Sequence, residues 1–444
     1  METSTWDVIV VGAGPAGLLA ATAAAERGRR TLLLEKNARP GVKILMSGGT
    51  RCNVTHATDE RGIVAAFGRQ GSFLHSALAA LGPSDLLKLL AAEGVTTKIE
   101  EHGKVFPVSD KAADVLTALL QRLRRSGAEL ALSTPVLGIQ RDGDGFRLRT
   151  VGRTDLQSVQ DGLQIRPTSA TPATVSDLSP AGSVLWTKSL VLTTGGRSYP
   201  GCGTRGDGYG WAAEFGHTVV PPKPALTPVT TDLDWVRALR GVTVPDVSVQ
   251  VVVAEAQPPQ VLTQARGSFL FTHFGLSGPA ILDVSRVISR QADPRELQLA
   301  CDFFPDEKRE QLSQWLDAQC VLDGKRRLAS ILGDRLPRRL VEAALEAAAW
   351  PLERRAAETA RRDRQRALEL FKRLTVPISG VMGFRKAEVT AGGVSLAEVD
   401  SRDMQSKRVP GLFFAGELLD LDGPIGGDNF QAAFSTGWLA GQSA

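Results

Sequence analysis

The sequence predicts an α/β fold whose first domain is interrupted by a long insertion and completed at the C-terminus. A buried strand, a glycine-rich turn and a helix follow one another in residues 6–28. A similar alternation of strands and glycines returns after residue 380. Between them, near 221–375, the sequence is first β-rich and then helical and rich in Ala, Leu and Arg. A pattern that leaves and returns in this way indicates a discontinuous domain with an insertion.

Length and composition indicate a globular protein with more than one domain. The chain has 444 residues, of which 43% are hydrophobic and 23% charged, and its net charge is +4. Residues 303–375 contain 16 Lys or Arg against 12 Asp or Glu, which equals the whole positive excess. The four cysteines have no CxxC or metal-ligand spacing. We therefore expect no metal site, a reducing compartment and a cytoplasmic location.

The N-terminal elements form a βαβ unit. WDVIVV predicts a strand, PAGLLAATAAAERG a helix ending at Gly28, and TLLLEK a second strand. Residues 111–127 predict a further helix, and RDGDG at 141–145 predicts a β-hairpin. The apolar run 8–25 lacks a basic leader and contains glycines, so we expect neither a signal peptide nor a membrane partner.

These patterns divide the chain into four segments. Residues 1–220 are the first part of a nucleotide-binding domain, within which the polar stretch 151–183 is expected to be a disordered insertion. Residues 221–304 form an inserted antiparallel, barrel-like β domain, and residues 305–375 form a basic helical subdomain. Residues 376–444 complete the first domain.

A glycine-rich turn follows the first strand. Gly12, Gly14 and Gly17 form a G-x-G-x-x-G motif that opens a helix. Such glycines permit a tight turn, close approach of a pyrophosphate and close helix packing, while the helix N-terminus attracts phosphate. Glu35, at the end of the second strand, suits ribose hydroxyls and would repel a 2′-phosphate. The motif predicts dinucleotide binding and disfavours NADP.

The C-terminus distinguishes FAD from NAD. A buried strand ends in Ala415-Gly416-Glu417, and Gly426-Gly427 precede a helix from about Asn429. The carboxylate suits the hydroxyls of a ribityl chain, and the helix N-terminus suits the pyrimidine edge of a flavin. A plain NAD enzyme needs no second motif of this kind, so FAD is the expected cofactor.

The chain resembles the bacterial aminoacetone-oxidase-like family of NAD(P)/FAD-dependent oxidoreductases. The resemblance rests on GVKILMSGGTRCNVTH (41–56), GKVFPVSDKAADVL (103–116), TTGGRSYPGCGTRGDGYGWAAEFGH (193–217), THFGLSGPAILDVS (272–285) and the region 387–441. It implies a glutathione-reductase-like FAD domain carrying an inserted β-barrel and a small helical domain. This sequence departs from the family pattern at Val42, Thr50, His56 and Asp428.

The resemblance also implies which residues line the cofactor. In such proteins the glycine-rich stretch after the second strand runs along the flavin, where Gly48 and Gly49 permit close approach and Arg51 and Asn53 offer donors. The expected contacts are Gly12, Gly14, Pro15, Ala16, Gly17, Glu35, Lys36, Lys43, Ser47, Gly48, Gly49, Arg51, Cys52, Asn53, Val136, Thr194, Gly195, Gly196, Gly416, Glu417, Asp420, Gly426, Gly427, Asn429, Phe430 and Gln431.

Catalytic candidates are few. FAD supplies hydride transfer. No second G-x-G-x-x-G in a βαβ unit of its own is predicted, because the glycines between Gly201 and Gly210 are interpreted as closing the FAD domain, so we expect NAD(P)H to dock only transiently. His273, Cys52 and Tyr199 are the candidate catalytic residues. Each has a structural alternative, which is favoured in all three cases.

Four functions remain open. The favoured one is a reductase of a small unsaturated or carbonyl compound. The second is an oxidase of an aminoacetone-like amine, and the third, implied by the resemblance, is dihydrouridine formation in ribosomal RNA. The fourth is a flavin-binding sensor without turnover. RNA contact would use the basic segment, with clusters at 335–339 and 361–366, although a solvated helical surface is the favoured explanation of these charges.

Overall fold

The computed structural model describes residues 4–151, 183–256 and 258–444. The insertion predicted at 151–183 falls almost wholly outside these residues. The chain forms two compact units: residues up to Pro222 with Thr390–Ala444 make up the first, and Lys223–Val389 the second. Each unit has a hydrophobic core of its own. The first unit is therefore discontinuous in sequence.

In chain order, the first unit begins with β1 (Ser4–Val11), α1 (Pro15–Glu26), β2 (Thr31–Leu34), α2 (Val42–Met46), β3 (Thr55–His56), α3 (Glu60–Ala66), α4 (His75–Ala80), α5 (Pro83–Ala92), β4 (Thr97–Ile99), β5 (Lys104–Pro107), α6 (Ala112–Ser126), β6 (Glu129–Ala131), β7 (Val136–Asp142), β8 (Gly145–Thr150), β9 (Ser183–Leu192), α7 (Asp207–Glu214) and β10 (Val219–Ala225). The second unit contains β11 (Val229–Thr230), α8 (Asp234–Ala238), β12 (Thr243–Val253), β13 (Val261–Thr272), β14 (Gly275–Ser277), α9 (Pro279–Arg290), β15 (Leu297–Asp302), α10 (Arg309–Leu322), α11 (Leu328–Leu332), α12 (Arg338–Ala347), α13 (Arg361–Lys372), β16 (Leu374–Pro377) and β17 (Gly380–Val381). The chain returns through β18 (Val389–Val394) to β19 (Leu412–Phe414) and α14 (Asp428–Ser443). Short 3-10 turns cover Ser47–Thr50, Gly68–Leu74, Glu101–Gly103, Pro200–Cys202, Pro294–Glu296, Ala356–Glu358, Leu396–Glu398 and Gly416–Leu418.

The main sheet of the first unit combines parallel and antiparallel strands. Its order is β6-β2-β1-β9-β8-β7, with β19 also parallel to β9. Strands β6, β2, β1, β9 and β19 run parallel, whereas β8 runs antiparallel to both β9 and β7. The residues of β1 from Val8 to Val10 are fully buried, as expected for a parallel strand covered on both faces. The carboxyl ends of β1, β2, β9 and β19 therefore lie at one edge, where α/β proteins bind ligands.

Two helices of the first unit cross at small residues. Ten of the twelve residues of α1 are buried. A Cβ on Gly437 of α14 would lie 2.2 Å from the carbonyl oxygen of Ala16, and one on Gly441 would lie 2.1 Å from that of Ala20. Larger side chains at these two positions would force the helices apart.

The second unit is built on an antiparallel sheet of order β16-β15-β12-β13-β14-β11-β17. Among the described residues, no pairing joins β16 to β17 to close a barrel. Helices α10, α12 and α13 place Leu316, Leu340 and Phe371 in the same core as the sheet residues Leu299 and Phe269. The helical segment thus shares the hydrophobic core of the sheet, so a separate helical subdomain is not confirmed.

The chain returns to the first unit later than the sequence indicated. Residues 376–389 were expected to belong to the first domain, but the division falls between Val389 and Thr390. The reason is strand pairing: Val376 pairs with Leu299, and Val381 pairs with Val229. Both pairings lie within the sheet of the second unit.

Candidate functional site

The glycine-rich turn after β1 leaves room for a phosphate. Gly12 has φ +106°, and a Cβ there would lie 2.7 Å from the carbonyl oxygen of Thr193. A Cβ on Gly17 would lie 1.8 Å from the carbonyl oxygen of Gly12. By contrast, no described neighbour lies within 4 Å of the position of a Cβ on Gly14. Gly14 caps α1 without a side-chain hydrogen bond, so the positive end of the helix is available to an anion.

Glu35 connects the second strand to this turn. One of its carboxylate oxygens accepts the N–H of Ala13 and the other accepts the N–H of Asn37, each at 2.8 Å. The side chain is buried, and each oxygen keeps a second lone pair for a ligand. Its role at the ribose stays a prediction. The neighbouring Lys36 forms an ion pair with Asp207, so its ammonium already has an acid partner.

The backbone of Thr194 lies beside the same turn. Thr194 Oγ1 is buried and has no hydrogen-bond partner among the described residues. The position of a Cβ on Gly12 lies 3.1 Å from Thr194 Cα. The hydroxyl itself faces α7, because a Cβ on Gly208 would lie 2.3 Å from Thr194 Oγ1. The open space at Gly14 and the uncapped helix fit the pyrophosphate half of FAD.

Several polar groups from distant parts of the first unit meet around Glu417. The Lys43 ammonium forms an ion pair with Glu417 and donates to Ser198 Oγ at 2.8 Å. The Ser198 hydroxyl and the backbone N–H of Thr390 both donate to Glu417 Oε1, the latter at 2.8 Å. A Cβ on Gly196 would lie 2.4 Å from Thr390 Oγ1. The structure thus brings together three residues predicted to contact the cofactor: Lys43, Gly196 and Glu417.

Sequence reasoning missed the other two members of this cluster. Ser198 follows the Gly195-Gly196 pair and Thr390 precedes the Gly392-Gly393 pair, so their adjacency to paired glycines was the available signal. The Lys43 and Glu417 side chains are 23% and 16% exposed. A partly buried pair of opposite charge, flanked by a hydroxyl, offers both donors and acceptors to a sugar-alcohol chain.

Gly416, Pro15 and Gly195 occupy positions whose packing or backbone conformation suits these residue types. Gly416 has φ +72°, and its Cβ would lie 2.9 Å from Ala16 Cβ, so the turn after β19 packs directly on α1. Pro15 occupies the first turn of α1, where its missing N–H costs nothing. Gly195 has φ +73°, a left-handed conformation that suits glycine.

The glycine-rich stretch after α2 combines accessible glycines with an arginine that has partners in the protein. Gly48 and Gly49 have φ +55° and +67°, and a Cβ on Gly49 would meet open space. Arg51 was expected to donate to the cofactor. Its guanidinium forms an ion pair with Glu100 at 2.5 Å and lies 3.9 Å over the ring centroid of Phe106, and its contact with the cofactor stays a prediction. Arg51 therefore has partners within the protein, while the glycines leave part of the turn accessible.

Cys52 occupies an enclosed position. Its side chain is 0% exposed, and burial raises the pKa of its thiol to about 12. It is therefore a neutral thiol near neutral pH, which favours a packing role over that of a nucleophile. Beside it, the hydroxyl of Ser47 donates to the carbonyl of Ile44, and Asn53 Oδ1 accepts the N–H of Val105 at 3.1 Å. These bonds fix the shape of the turn.

The N-terminus of α14 lies beside β3. Gly427 has φ +104°, and a Cβ there would lie 2.5 Å from the carbonyl oxygen of Thr55. A Cβ on Gly426 would lie 3.2 Å from Asp428 Oδ2 and 3.3 Å from His56 Nδ1. Burial raises the pKa of Asp428, and the charge of His56 opposes that change. No side chain caps α14, so its N-terminus is available to an acceptor such as the flavin edge.

Two predicted contacts within α14 have partners inside the protein. The Asn429 amide donates to the carbonyl of Gly423 at 3.0 Å and closes the preceding loop. Gln431 is fully buried, accepts the hydroxyl of Thr55 at 2.7 Å and donates to the carbonyl of Leu81 at 3.0 Å. Both side chains hold the site in place through these bonds.

The remaining predicted contacts lie on the same unit with ordinary packing. The Phe430 ring lies 6.0 Å from that of Phe434. The backbone carbonyl of Asp420 accepts an amide hydrogen of Gln70 at 2.7 Å. Val136 is half-buried at the start of β7. Their contacts with FAD stay predictions.

The candidate catalytic residues lie in different units. Tyr199, in the first unit, is half-buried and has φ +53° just before the turn Pro200–Cys202. His273, in the second unit, is exposed in the turn between β13 and β14, with its ring 4.9 Å from that of Phe274. His217, also in the first unit, is buried.

Two features are absent from the described ranges: a metal-binding group and a helix able to cross a membrane. Across residues 4–151, 183–256 and 258–444, no three His, Cys, Asp or Glu side chains form a metal-binding group. Over the same ranges, no helix combines the length and apolar character needed to cross a membrane. All four cysteines are buried free thiols.

Comparison with known proteins identifies the family. Residues 6–164 and 169–443 match the family described as HI0933-like protein Rossmann domain. A ribosomal RNA dihydrouridine synthase of Escherichia coli K12 is 33% identical over 440 residues, which are 98% of this chain and 97% of that protein. A 3-dehydro-bile acid delta(4,6)-reductase of Clostridium scindens is 28% identical over 438 residues, covering 98% of each chain. The Mycobacterium smegmatis Sdh1 complex in the apo form is 16% identical and similar in fold, with a TM-score of 0.50 over 99% of this chain and 68% of that one.

These matches decide the class of protein but not its substrate. The resemblance to the aminoacetone-oxidase-like family stays a prediction. The expectation of an FAD-dependent oxidoreductase with a Rossmann-type α/β domain is confirmed. The chain belongs to the HI0933-like family of Rossmann-domain proteins.

Proposed function

We propose that this protein is an FAD-dependent reductase of carbon–carbon double bonds conjugated to a carbonyl group, and that its substrate is uracil in ribosomal RNA. One observation carries the proposal: the 33% identity to the Escherichia coli ribosomal RNA dihydrouridine synthase extends over 98% of this chain. Because the match spans both units, it supports a shared cofactor site and a shared inserted unit.

The names of two relatives point to the same chemistry. Dihydrouridine differs from uridine by two hydrogens across a double bond conjugated to a carbonyl. A delta(4,6)-reductase of a 3-dehydro-bile acid likewise acts on double bonds conjugated to a ketone. Both reactions add a hydride and a proton across such a bond. This supports a double-bond reductase over an amine oxidase.

Different residues of the first unit would contact different parts of the cofactor. The turn from Gly12 to Gly17 and the N-terminus of α1 would hold the pyrophosphate, and Glu35 would accept from the adenosine ribose. Lys43 and Glu417 would meet the ribityl hydroxyls, and the N-terminus of α14 at Gly427 would face the pyrimidine edge. When bound and reduced by NAD(P)H, the flavin would supply the hydride. This chain orients the cofactor and neutralises charge around it.

The second hydrogen reaches the substrate as a proton. Tyr199 and His273 are the candidate donors, since both carry an ionisable O–H or N–H group outside a packed core. Cys52 suits this role less because its thiol is enclosed. The reductant would be NAD(P)H docking transiently, since the sequence predicts no second βαβ unit with a G-x-G-x-x-G motif of its own.

A small conjugated ketone is the second candidate substrate. The bile-acid reductase covers 98% of this chain, which is the specific observation favouring it. The cofactor chemistry would be unchanged, and the two candidates differ only in whether an RNA is bound.

The test uses ribosomal RNA transcribed in vitro, which carries no modified nucleosides. The FAD-loaded protein is incubated without oxygen with this RNA and with NADH or NADPH. The RNA is then digested, and the masses of its nucleosides are measured by mass spectrometry. We expect uridines that gain two hydrogen atoms. A conjugated steroid ketone, assayed in parallel, tests the second candidate.

Other outcomes would point to the functions left open by the sequence. Oxygen consumption with aminoacetone, without any dihydrouridine, would indicate an amine oxidase. FAD that no nicotinamide or amine reduces would indicate a flavin-binding sensor. Either result would contradict the proposed function.

A further inference from the structure

The Lys and Arg side chains of the basic segment, residues 303–375, are of two kinds: those with an acid partner and those without one. Nine of its sixteen Lys and Arg side chains have a carboxylate within 4.0 Å. Arg339 donates to the backbone carbonyl of Ala238 at 2.8 Å. Six exposed cations have no acid partner among the described residues: Lys308, Lys325, Arg355, Arg362, Arg366 and Arg373.

Three of these six lie on or at the end of α13. Arg362 and Arg366 are four residues apart and therefore share one face of the helix. Arg373 ends the helix about three turns after Arg362. The acids of this helix, Asp363 and Glu369, are each paired with an arginine from another segment. No acid of α13 is therefore left to cancel the charge of these three arginines.

Aromatic side chains do not contribute to this face. Arg335 lies 5.0 Å over the ring of Trp315, and Arg354 lies 5.6 Å over the ring of Trp350. Phe371 is fully buried. Recognition of unpaired bases requires accessible aromatic rings. A nucleic acid meeting this face would therefore be held through its phosphates.

We propose that the face of α13 formed by Arg362, Arg366 and Arg373 is a docking surface for the phosphate backbone of RNA. The inference rests on the proposed function in one respect, namely that the substrate is an RNA. Arginines free of acid partners can neutralise phosphates and release the counterions around them, whereas paired arginines would first have to break an ion pair. The structure distinguishes the two kinds of arginine, which the sequence clusters at 335–339 and 361–366 do not.

The test compares two double variants that each remove two positive charges from the second unit. Arg362→Gln with Arg366→Gln alters the α13 face. Arg240→Gln with Arg295→Gln is the matched control, because both residues are exposed and have no ion pair among the described residues. Binding of a fluorescent ribosomal RNA transcript to the FAD-loaded, full-length protein is measured by anisotropy across a salt series. Thermal melting checks that both variants fold.

The salt dependence decides the outcome. Each lost phosphate contact lowers the slope of log affinity against log salt by about 0.7–0.9, so we expect the α13 variant to lose about 1.4–1.8 from the slope. The control variant should keep the wild-type slope. Equal losses in both variants, an unchanged slope in the α13 variant, or no RNA binding by the wild type would overturn the docking surface.

The docking surface and the proposed function can fail separately. If the wild type binds RNA through α13 but forms no dihydrouridine, the surface stands and the function fails. If the wild type forms dihydrouridine while the α13 variant keeps the wild-type salt slope, the function stands and the surface fails.

Discussion

Gly14 is the position where one added methyl group tests the FAD site most directly. Its backbone has φ −83° and ψ −172°, an extended conformation open to any residue. No described neighbour lies within 4 Å of its would-be Cβ. The protein alone therefore accommodates alanine here. The methyl group of Gly14→Ala would instead enter the space proposed for the pyrophosphate.

The expected effect on folding is small and the expected effect on binding is large. Replacing glycine by alanine at the residue that caps a helix costs up to about 1 kcal/mol. Restricting the unfolded chain returns about 0.4–1 kcal/mol, so the free energy of unfolding should change by less than about 1 kcal/mol. A methyl group forced into a closely packed contact costs about 1–3 kcal/mol. For the FAD dissociation constant this is about 5- to 150-fold.

Two measurements check this prediction. Fluorescence titration of FAD into the apoprotein gives the dissociation constant, and chemical denaturation gives the free energy of unfolding. The control is Gly210→Ala, in α7, where the glycine is exposed and its would-be Cβ also has no neighbour within 4 Å. That variant should gain about 0.5–1 kcal/mol of stability and keep wild-type FAD affinity. If Gly14→Ala binds FAD as tightly as the wild type, the glycine turn does not hold the pyrophosphate and the reasoning is refuted.

Three further variants test the charges of the first unit. Glu417→Gln removes the charge that pairs with the Lys43 ammonium. Because hydrogen bonds to charged groups contribute about 1.5–3 kcal/mol, titration should show FAD binding at least about tenfold more weakly. Unchanged FAD binding would place this cluster outside the site. Burial raises the pKa of Asp428, so its contribution to stability is present below the ordinary carboxyl pKa and is lost as pH rises through the raised value. Asp428→Asn should therefore resist denaturant better than the wild type in alkali, with the difference shrinking in acid, and an equal response at every pH would contradict this. Arg408 lowers the pKa of Glu398 to about 2, so the stabilisation by Glu398 is present above the ordinary carboxyl pKa and is lost as pH falls toward about 2. Glu398→Gln should lose about 1–2 kcal/mol of unfolding free energy at neutral pH, after a discount for its position near the surface, and should approach the wild type in strong acid.

Local patterns predicted the parts of the fold that local chemistry decides. The first helix was expected to end at Gly28, and α1 ends at Glu26 with Gly28 at φ +78°. The β7–β8 turn falls at 143–144, within the predicted hairpin at 141–145. Glycine conformation and alternating burial are properties of short segments, so they can be predicted from the local sequence.

Pairings between distant segments were not readable in the same way. The cluster at Glu417 joins Ser198 and Thr390, which lie 219 and 27 residues away in sequence. The ion pair between the Arg51 guanidinium and the carboxylate of Glu100 also joins segments that no local pattern connects. The late return of the chain likewise depends on Val376, which pairs with a strand far back in the sequence. Such contacts depend on which surfaces meet, and no local pattern encodes that.

The most direct test of the central claim is reoxidation of the reduced protein by its substrate. The FAD-loaded protein is reduced without oxygen by one equivalent of NADPH or dithionite and then mixed with unmodified ribosomal RNA. We predict that the visible flavin absorption returns and that one dihydrouridine forms for each FAD reoxidised. Absorption that stays bleached with this RNA and also with a conjugated ketone, but returns when oxygen is admitted, would contradict a double-bond reductase.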